Sequence, residues 1–320
     1  MEKQFVANLQ VGDAVHSYFI VTEKTLLPFN QPNRAGERYL RLQLADASGS
    51  MRAVIWEKAE EMAEIFSVGD VIRVRGEVTN FRGLQLTVYS LELVPEAEIE
   101  RSHLQKTASL NQEELLRRLQ ALYRQITDPY LQKLLQSFYA DDVFLKRYLE
   151  APAARSVHHN YVGGLVEHSL EVAALCQEFA KIHPGLDSSL LICGALLHDV
   201  GKIEEYEMKG LSIELTTRGK LLGHIIIGVE MINEHISQID GFPEKLQLEL
   251  NHMILSHHGQ KEWGSPEVPR TFAAFALFHA DLVSARLNQF ALAVEKGAKA
   301  DGWTEWNRLL ERDIYLGLAE

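Results

Sequence analysis

At 320 residues, 46% hydrophobic and 24% charged, the chain has the composition of a soluble globular protein with room for two domains, which sets aside disordered and low-complexity classes. A net charge of −12 excludes a protein that coats nucleic acid through bulk charge; residues 1–95 carry ten Lys/Arg against twelve Asp/Glu, so most of the acidic excess lies beyond them and any nucleic-acid contact must be local. No basic stretch with an apolar core opens the sequence, and no run approaches the roughly 18 apolar residues of a membrane span, so a cytoplasmic protein without membrane contact is expected.

The first 95 residues read as strands. Leu40, Leu42 and Leu44 alternate with Tyr39, Arg41 and Gln43, residues 46–50 supply a turn, and Arg52 to Trp56 runs extended again, which predicts a hairpin. A short helix is predicted from Glu57 to Phe66. Val71 to Thr79 then sets Arg73 and Arg75 on one face against Ile72, Val74 and Val78 on the other, and Arg82-Gly83 turns the chain into Gln85 to Val94. Five strands with a helix between the third and fourth is the order of an OB-fold, a small barrel whose open face often takes single-stranded nucleic acid. The residues suited to stacking on bases or pairing with phosphates there are Tyr39, Arg41, Trp56, Arg73, Arg75, Phe81 and Arg82, with Pro28 and Phe29 in the loop after the first strand. Strand aromatics are also common core residues, and alternating arginines are often merely solvated.

Residues 96–110 are polar and charged, as expected of a linker. From 111 to 320 the patterning is helical: Asn111 with Glu114 forms a capping box, Asp128-Pro129 opens another helix, and further helices are expected near 164–182, 188–198, 217–236, 243–257 and 270–291. Cys176 and Cys193 lie in apolar helical runs without CxxC spacing and read as core residues.

Most of the 13 histidines fall between residues 158 and 279. His198-Asp199 ends an apolar helix; alone, such a pair is more often a solvated or capping element than a ligand. Its company changes that reading. His168 lies on the preceding helix, His224 on the following one, His257-His258 at the end of the next and Asp281 on the last, each in a strongly apolar helix. A mixed imidazole and carboxylate set carried on five helices suits one or two divalent ions such as manganese, iron, nickel or zinc. His279, two residues from Asp281, faces another side of its helix, and His183, His235 and His252 read as packing or surface residues. His159, Asn160 and Tyr161 precede the first ligand helix, where substrate contact and loop capping are both open.

This ordered set resembles the HD superfamily of metal-dependent phosphohydrolases over residues 158–286. The run 159–171, the run 196–202 (Leu-Leu-His-Asp-Val-Gly-Lys) and the run 256–266 (Ser-His-His-Gly-Gln-Lys-Glu-Trp-Gly-Ser-Pro), together with the OB-like region, resemble the YhaM-type 3′→5′ exoribonucleases. The resemblance implies a multidomain β + α chain, an OB-like β-barrel at 1–95 followed by an all-α region with its HD core at 150–295. It implies that His168, His198, Asp199 and Asp281 hold one ion, with Asp199 bridging to a second held by His224 and His257, and His258 replacing or supplementing His257. Asp199, Lys202 and His258 are then the residues expected at the reacting phosphate, with a metal-activated hydroxide as nucleophile and manganese as the implied metal. The implied partner is single-stranded RNA, with single-stranded DNA and the oligomeric state open. Two alternatives belong to other classes. One is a phosphohydrolase of a nucleotide or cyclic dinucleotide, although the Gly-Tyr-Pro element of the cyclic-dinucleotide subgroup is missing after His257-His258. The other is a non-catalytic nucleic-acid-binding protein with a structural metal.

Overall fold

The computed structural model describes residues 3–29, 31, 34, 36–81, 83–104, 110–154, 161–209, 212–295, 297 and 301–317. By internal contacts the chain divides into two compact units, Met1–Lys106 with Met208–Ile213, and Thr107–Glu207 with Glu214–Glu320.

The first unit is a closed five-stranded barrel in the order β1-β2-β3-β5-β4, built from β1 (Ala14–Pro28), β2 (Arg38–Asp46), β3 (Gly49–Ile55), β4 (Val71–Asn80) and β5 (Leu84–Leu93), with helix α1 (Ala59–Ile65) between β3 and β4. Closure removes the unpaired edge that an open sheet of this size would leave. Alternation decides the faces: Leu40, Leu42 and Leu44 of β2 are almost fully buried, as are Ile72, Val74 and Val78 of β4, and they meet Phe19, Val21, Ile55 and Leu86 in one core. Pro28 closes β1 rather than standing in the following loop.

Part of the expected linker is folded. Residues 96–98 and 101–103 form two short 3-10 turns, and Val94 and Leu104 pack with Ile20 and Val71 in a satellite cluster on the barrel. The polar composition conceals this, because only a few apolar positions seat the segment.

The second unit is built from α2 (Gln112–Tyr123), α3 (Pro129–Tyr139), α4 (Asp142–Glu150), α5 (Gly164–Ile182), α6 (Ser188–Leu197), α7 (Lys202–Glu205), α8 (Thr217–Ser237), α9 (Glu244–Ser256) and α10 (Phe272–Glu295). The caps explain several starts. Asn111 accepts the Glu114 N–H at 2.9 Å, and Asp128 accepts from Tyr130 and Leu131 behind Pro129 at the first helical position. The reciprocal half of the capping box is absent, since Glu114 pairs with Arg117 and Arg118 instead. The region from 111 is not all helical as expected: a hairpin of β6 (Tyr206–Lys209) and β7 (Ser212–Leu215) follows α7, and residues 301–317 form turns with the antiparallel bridges Trp303–Tyr315 and Asn307–Arg312, because short extended pairings leave no helical period in the sequence.

Helix α6 is the axis of this unit. It is buried from Ser189 to Leu197, so it has no polar face, and α5, α9 and α10 pack around it through Val172, Cys176, Met253, Ile254 and Leu277. The chain leaves α6 through the tight turn His198 to Gly201 directly into α7. Gly201 is required there: a Cβ would stand 2.0 Å from the His224 carbonyl oxygen and 2.6 Å from the Gly228 nitrogen of α8. The polar end of the most apolar helix is thereby held in the middle of the unit.

Candidate metal centre and nucleic-acid interface

His198 and Asp199, 0% and 2% exposed, stand where α6 ends, and the neighbouring helices bring the other histidines and Asp281 to them. Two clusters of metal-ligating atoms result. His168 (α5), His198 and Asp281 (α10) form one; His224 (α8), His257 and His258 (end of α9) form the other, with the atoms of each cluster within 4.8 Å of one another. Asp199 lies between them. Its Oδ2 is 3.7 Å from His168 Nε2 and 3.4 Å from His198 Nε2, while its Oδ1 is 3.4 Å from His224 Nε2 and 3.6 Å from His257 Nε2. Asp281 Oδ1 stands 3.0 Å from His168 Nε2.

The outer nitrogens settle which ring atoms face inward. His198 Nδ1 meets the Ala195 carbonyl at 2.8 Å and His257 Nδ1 the Ile254 carbonyl at 2.7 Å; a carbonyl can only accept, so both Nδ1 atoms carry hydrogen. His168 Nδ1 meets Ser284 Oγ at 3.0 Å, and that hydroxyl donates to Glu171 Oε2 at 2.7 Å, leaving its lone pair for the imidazole. His224 Nδ1 faces Glu205 Oε1 at 3.2 Å. The Nε2 atoms of these rings face the centre, those of His168 and His198 lying 3.2 Å apart. Such anchoring of the second nitrogen is how metal-binding histidines are oriented.

A divalent ion fits this donor set. Asp199 Oδ1, His224 Nε2 and His257 Nε2 are buried and have no hydrogen-bond partner, a cost of about 1–3 kcal/mol each in a protein interior that a bound cation removes. Both carboxylates and three of the histidines are shifted toward the protonation state of ligands. Burial pushes the Asp199 carboxyl up, but the Lys202 ammonium and His198 outweigh it and hold it well below the usual carboxylate range. Asp281 is likewise lowered, burial being overcome by the hydrogen bond and charge of His168. Burial lowers His168 and His257, and with the neighbouring His257 and His224 brings His258 down to about 3. His198 moves the other way, raised against burial by the Asp199 charge.

Lys202 is buried with its Nζ 2.5 Å from Asp199 Oδ2. It balances the Asp199 carboxylate as well as lining the cleft, a role its sequence position does not show. The cleft has a volume of about 420 Å³, and His168, Asp199, Lys202, His224, His257, His258 and Asp281 share its lining with Trp263, Phe278, Leu282, Arg286 and Gln289. The six expected ligands, Lys202 and His258 are thus all assembled at one place. Glu205, Ser284, Glu171 and Trp263 join them without having been singled out by spacing. Trp263 alone carries a signal, an aromatic in the polar run that follows His257-His258.

Three other described histidines are engaged elsewhere. His235 stacks on Phe138 at 3.7 Å, His252 Nε2 accepts the Arg270 N–H at 2.8 Å, and His279 packs on Phe275 at 4.4 Å. Tyr161 donates to Glu167 at 2.5 Å; His159 and Asn160 lie outside the described residues.

On the barrel, the six expected nucleic-acid residues that are described do not form one patch. Tyr39 and Trp56 meet with ring centroids 5.0 Å apart, and Phe29 completes a trio at 5.2 and 5.8 Å from them. Arg34 lies 3.6 Å over the Phe29 ring, and Arg41 projects from the same face of β2 as Tyr39. Arg73 and Arg75 belong to β4, which β1 and β5 separate from β2 and β3. Arg73 is held by Glu92 at 2.9 Å and Glu98 at 2.8 Å, and Arg75 reaches His16, so this pair is tied into the barrel's own charge network. Alternation had placed both arginines outward but could not show their partners. Phe81, 60% exposed, sits at the β4–β5 turn, and Arg82 lies outside the described residues.

Fold and site together define the class: an OB-fold barrel and an HD domain in one chain. The HD domain family matches residues 165–286, and the OB-fold nucleic acid binding domain family matches residues 20–94. The 3′-5′ exoribonuclease YhaM of Oceanobacillus iheyensis is 33% identical over 92% of this chain and 91% of its own, and that of a Geobacillus species 31% identical over 97% and 94%. The chain belongs to the YhaM family of 3′-5′ exoribonucleases. Among solved structures, the second OB-fold domain of replication protein A from Methanococcus maripaludis is similar to 31% of this chain over 98% of that domain, at 19% identity and a TM-score of 0.26. No described helix is long and apolar enough to cross a membrane.

Proposed function

We propose that the chain is a metal-dependent 3′-5′ exoribonuclease that shortens single-stranded RNA at a two-ion centre. The observation that carries this reading is Asp199, whose two carboxylate oxygens face two separate histidine clusters while Oδ1 has no hydrogen-bond partner. His168, His198 and Asp281 would hold one divalent ion and His224, His257 and His258 the other, with Asp199 shared; borderline N/O donors of this kind accept manganese, iron, nickel or zinc. When bound, such a pair lowers the pKa of a water and offsets the charge that develops at phosphorus.

The chain's own residues do the rest. Lys202 restrains Asp199 and keeps a positive charge at the cleft, so an anionic phosphodiester enters a site that is not acidic in spite of the acidic chain. His258, neutral down to about 3, presents a lone pair at Nε2 while its Nδ1 faces the Trp263 carbonyl at 3.2 Å. Trp263 and Phe278 offer an apolar wall against which the terminal base can lie. On the barrel, the Phe29–Tyr39–Trp56 trio with Arg41 is the arrangement that supports base stacking beside phosphate contact. The buried free thiols Cys176 and Cys193 fit a cytoplasmic, reducing setting.

The test is an RNA labelled at its 5′ end and a single-stranded DNA of equal sequence, each incubated with manganese and the wild-type or Asp199→Asn protein. Stepwise shortening of the 5′-labelled RNA by the wild type, abolished by EDTA and in Asp199→Asn, is expected. Release of the 5′ label as a mononucleotide, or undiminished activity in Asp199→Asn, overturns the reading. The DNA arm reports sugar preference.

A further inference from the structure

We propose that Glu205 is the positioning residue for one of the two ions: it sets His224 in the Nδ1-protonated tautomer and aims Nε2 at the centre. This rests on the two-ion reading above. Glu205 is the last residue of α7, three beyond Lys202, and only 7% exposed. Its Oε1 accepts the backbone N–H of His224 at 2.9 Å and faces the ring Nδ1 of the same residue at 3.2 Å. One carboxylate oxygen thus holds both the main chain and the ring of a single candidate ligand.

The backbone of α8 explains why a side chain is needed. His198 and His257 anchor Nδ1 on the carbonyl three residues earlier in their own chain, Ala195 and Ile254. His224 follows Gly223, whose φ of 70° and ψ of 159° break the helix, so the kink falls between His224 and the carbonyl three residues before it. Its N–H is also the first of a restarted helical segment, a donor left without an intrahelical acceptor. Glu205 answers both needs. Oε1 is 3.9 Å from where a Cβ on Gly223 would stand, and the Glu205 carbonyl accepts the Thr216 N–H at 3.0 Å, so the end of α7 clasps the start of α8 on both sides of the hairpin. Nε2 of His224 is left buried, without a hydrogen-bond partner, 3.4 Å from Asp199 Oδ1. The Glu205 carboxylate holds His224 by both its main chain and its ring, so its influence is directed at the cluster that contains His224.

The experiment uses the full chain as wild type, Glu205→Ala and Glu205→Gln, stripped of metal and titrated with Mn2+ followed by electron paramagnetic resonance. Nitrogen-15 spectra of the metal-free wild type report the histidine tautomers. The expected result is two ions for the wild type and a loss of about 10–100-fold in affinity for one of them in Glu205→Ala, the other staying within about twofold. Glu205→Gln, which keeps an oxygen acceptor, restores most of the loss, and His224 of the wild type carries its proton on Nδ1. Wild-type affinity for both ions in Glu205→Ala, an equal loss at both, or a Gln variant as weak as the Ala variant overturns the proposal. A proton on His224 Nε2 in the metal-free wild type overturns it even if Glu205→Ala does not fold. A wild type that takes up a single ion refutes the two-ion reading instead, and the tautomer then still decides for or against Glu205.

Discussion

Asp199 is placed where removing it has two separable consequences. It carries the charge that Lys202 neutralises at 2.5 Å, with both groups buried, so Asp199→Ala leaves an ammonium without a partner. Breaking a buried pair in this way costs about 3–5 kcal/mol, and the metal-free Asp199→Ala protein is expected to lose stability on that scale in urea unfolding. Asp199→Ala with Lys202→Met removes both charges and is expected to recover most of it without recovering activity. The histidines give the pH dependence. Burial lowers His168, His257 and His235, and brings His258 to about 3, while their unfolded values stay near 6.5. A group lowered on folding contributes stability that is complete above its unfolded pKa and is lost as pH falls, because the unfolded chain then binds more protons. His198, raised, contributes in the opposite sense, and Asp199 and Asp281 do not act until the pH drops below about 4. The metal-free protein is therefore expected to melt at a lower temperature at pH 5 than at pH 7.5, by scanning calorimetry. Manganese affinity should fall over the same range, since protons compete for Nε2.

Among the elements, the turn from α6 into α7 and the kink in α8 do most to shape the centre. Both depend on glycine. Gly201→Ala drives a methyl into the backbone of α8 at the His224 carbonyl, and about 3 kcal/mol of destabilisation is expected from the overpacking. Gly223→Ala forces a side chain into a φ of 70° with ψ of 159°, at about 1–3 kcal/mol, and should also weaken one manganese ion because His224 moves with the kink. Denaturant midpoints with and without manganese separate the two variants: Gly201→Ala loses stability in both, and Gly223→Ala loses more when metal is present. The helices themselves were plain in the sequence. Expected spans of 164–182 and 217–236 meet observed ones of Gly164–Ile182 and Thr217–Ser237, because apolar periodicity and caps are local. The kink was not, since Gly-His within a helical pattern differs little from a tolerated glycine.

At the scale of the whole molecule, a small barrel and a helical unit each carry their own core, one around Phe19 and Leu42 and the other around α6. Removing residues 1–106 should leave the metal centre intact, with hydrolysis of a small phosphodiester unchanged and turnover of a long RNA reduced. Equal rates on long RNA with and without the barrel would show that it does not hold the strand. Within the barrel, Tyr39→Ala and Trp56→Ala are each expected to weaken single-stranded RNA by about 1–3 kcal/mol in a binding titration. Arg73→Ala should have a smaller effect there, since Glu92 and Glu98 already occupy that guanidinium.

What the amino-acid sequence determined by itself was whatever repeats at short range or stands as an ordered motif. The five strands and the helix between the third and fourth, the longer helical spans, and the order His168, His198-Asp199, His224, His257-His258, Asp281 were legible without coordinates, whereas α4, the one-turn α7 and the β6–β7 hairpin were not. What only the tertiary structure decided depends on groups far apart in the chain. The two oxygens of Asp199 facing two clusters, Glu205 behind His224, Ser284 behind His168, and the separation of Tyr39 and Trp56 from Arg73 and Arg75 belong to that kind. Periodicity reports which face of an element is apolar. It carries no information on which atom of another element meets that face, and the chemistry of this centre is set by those meetings.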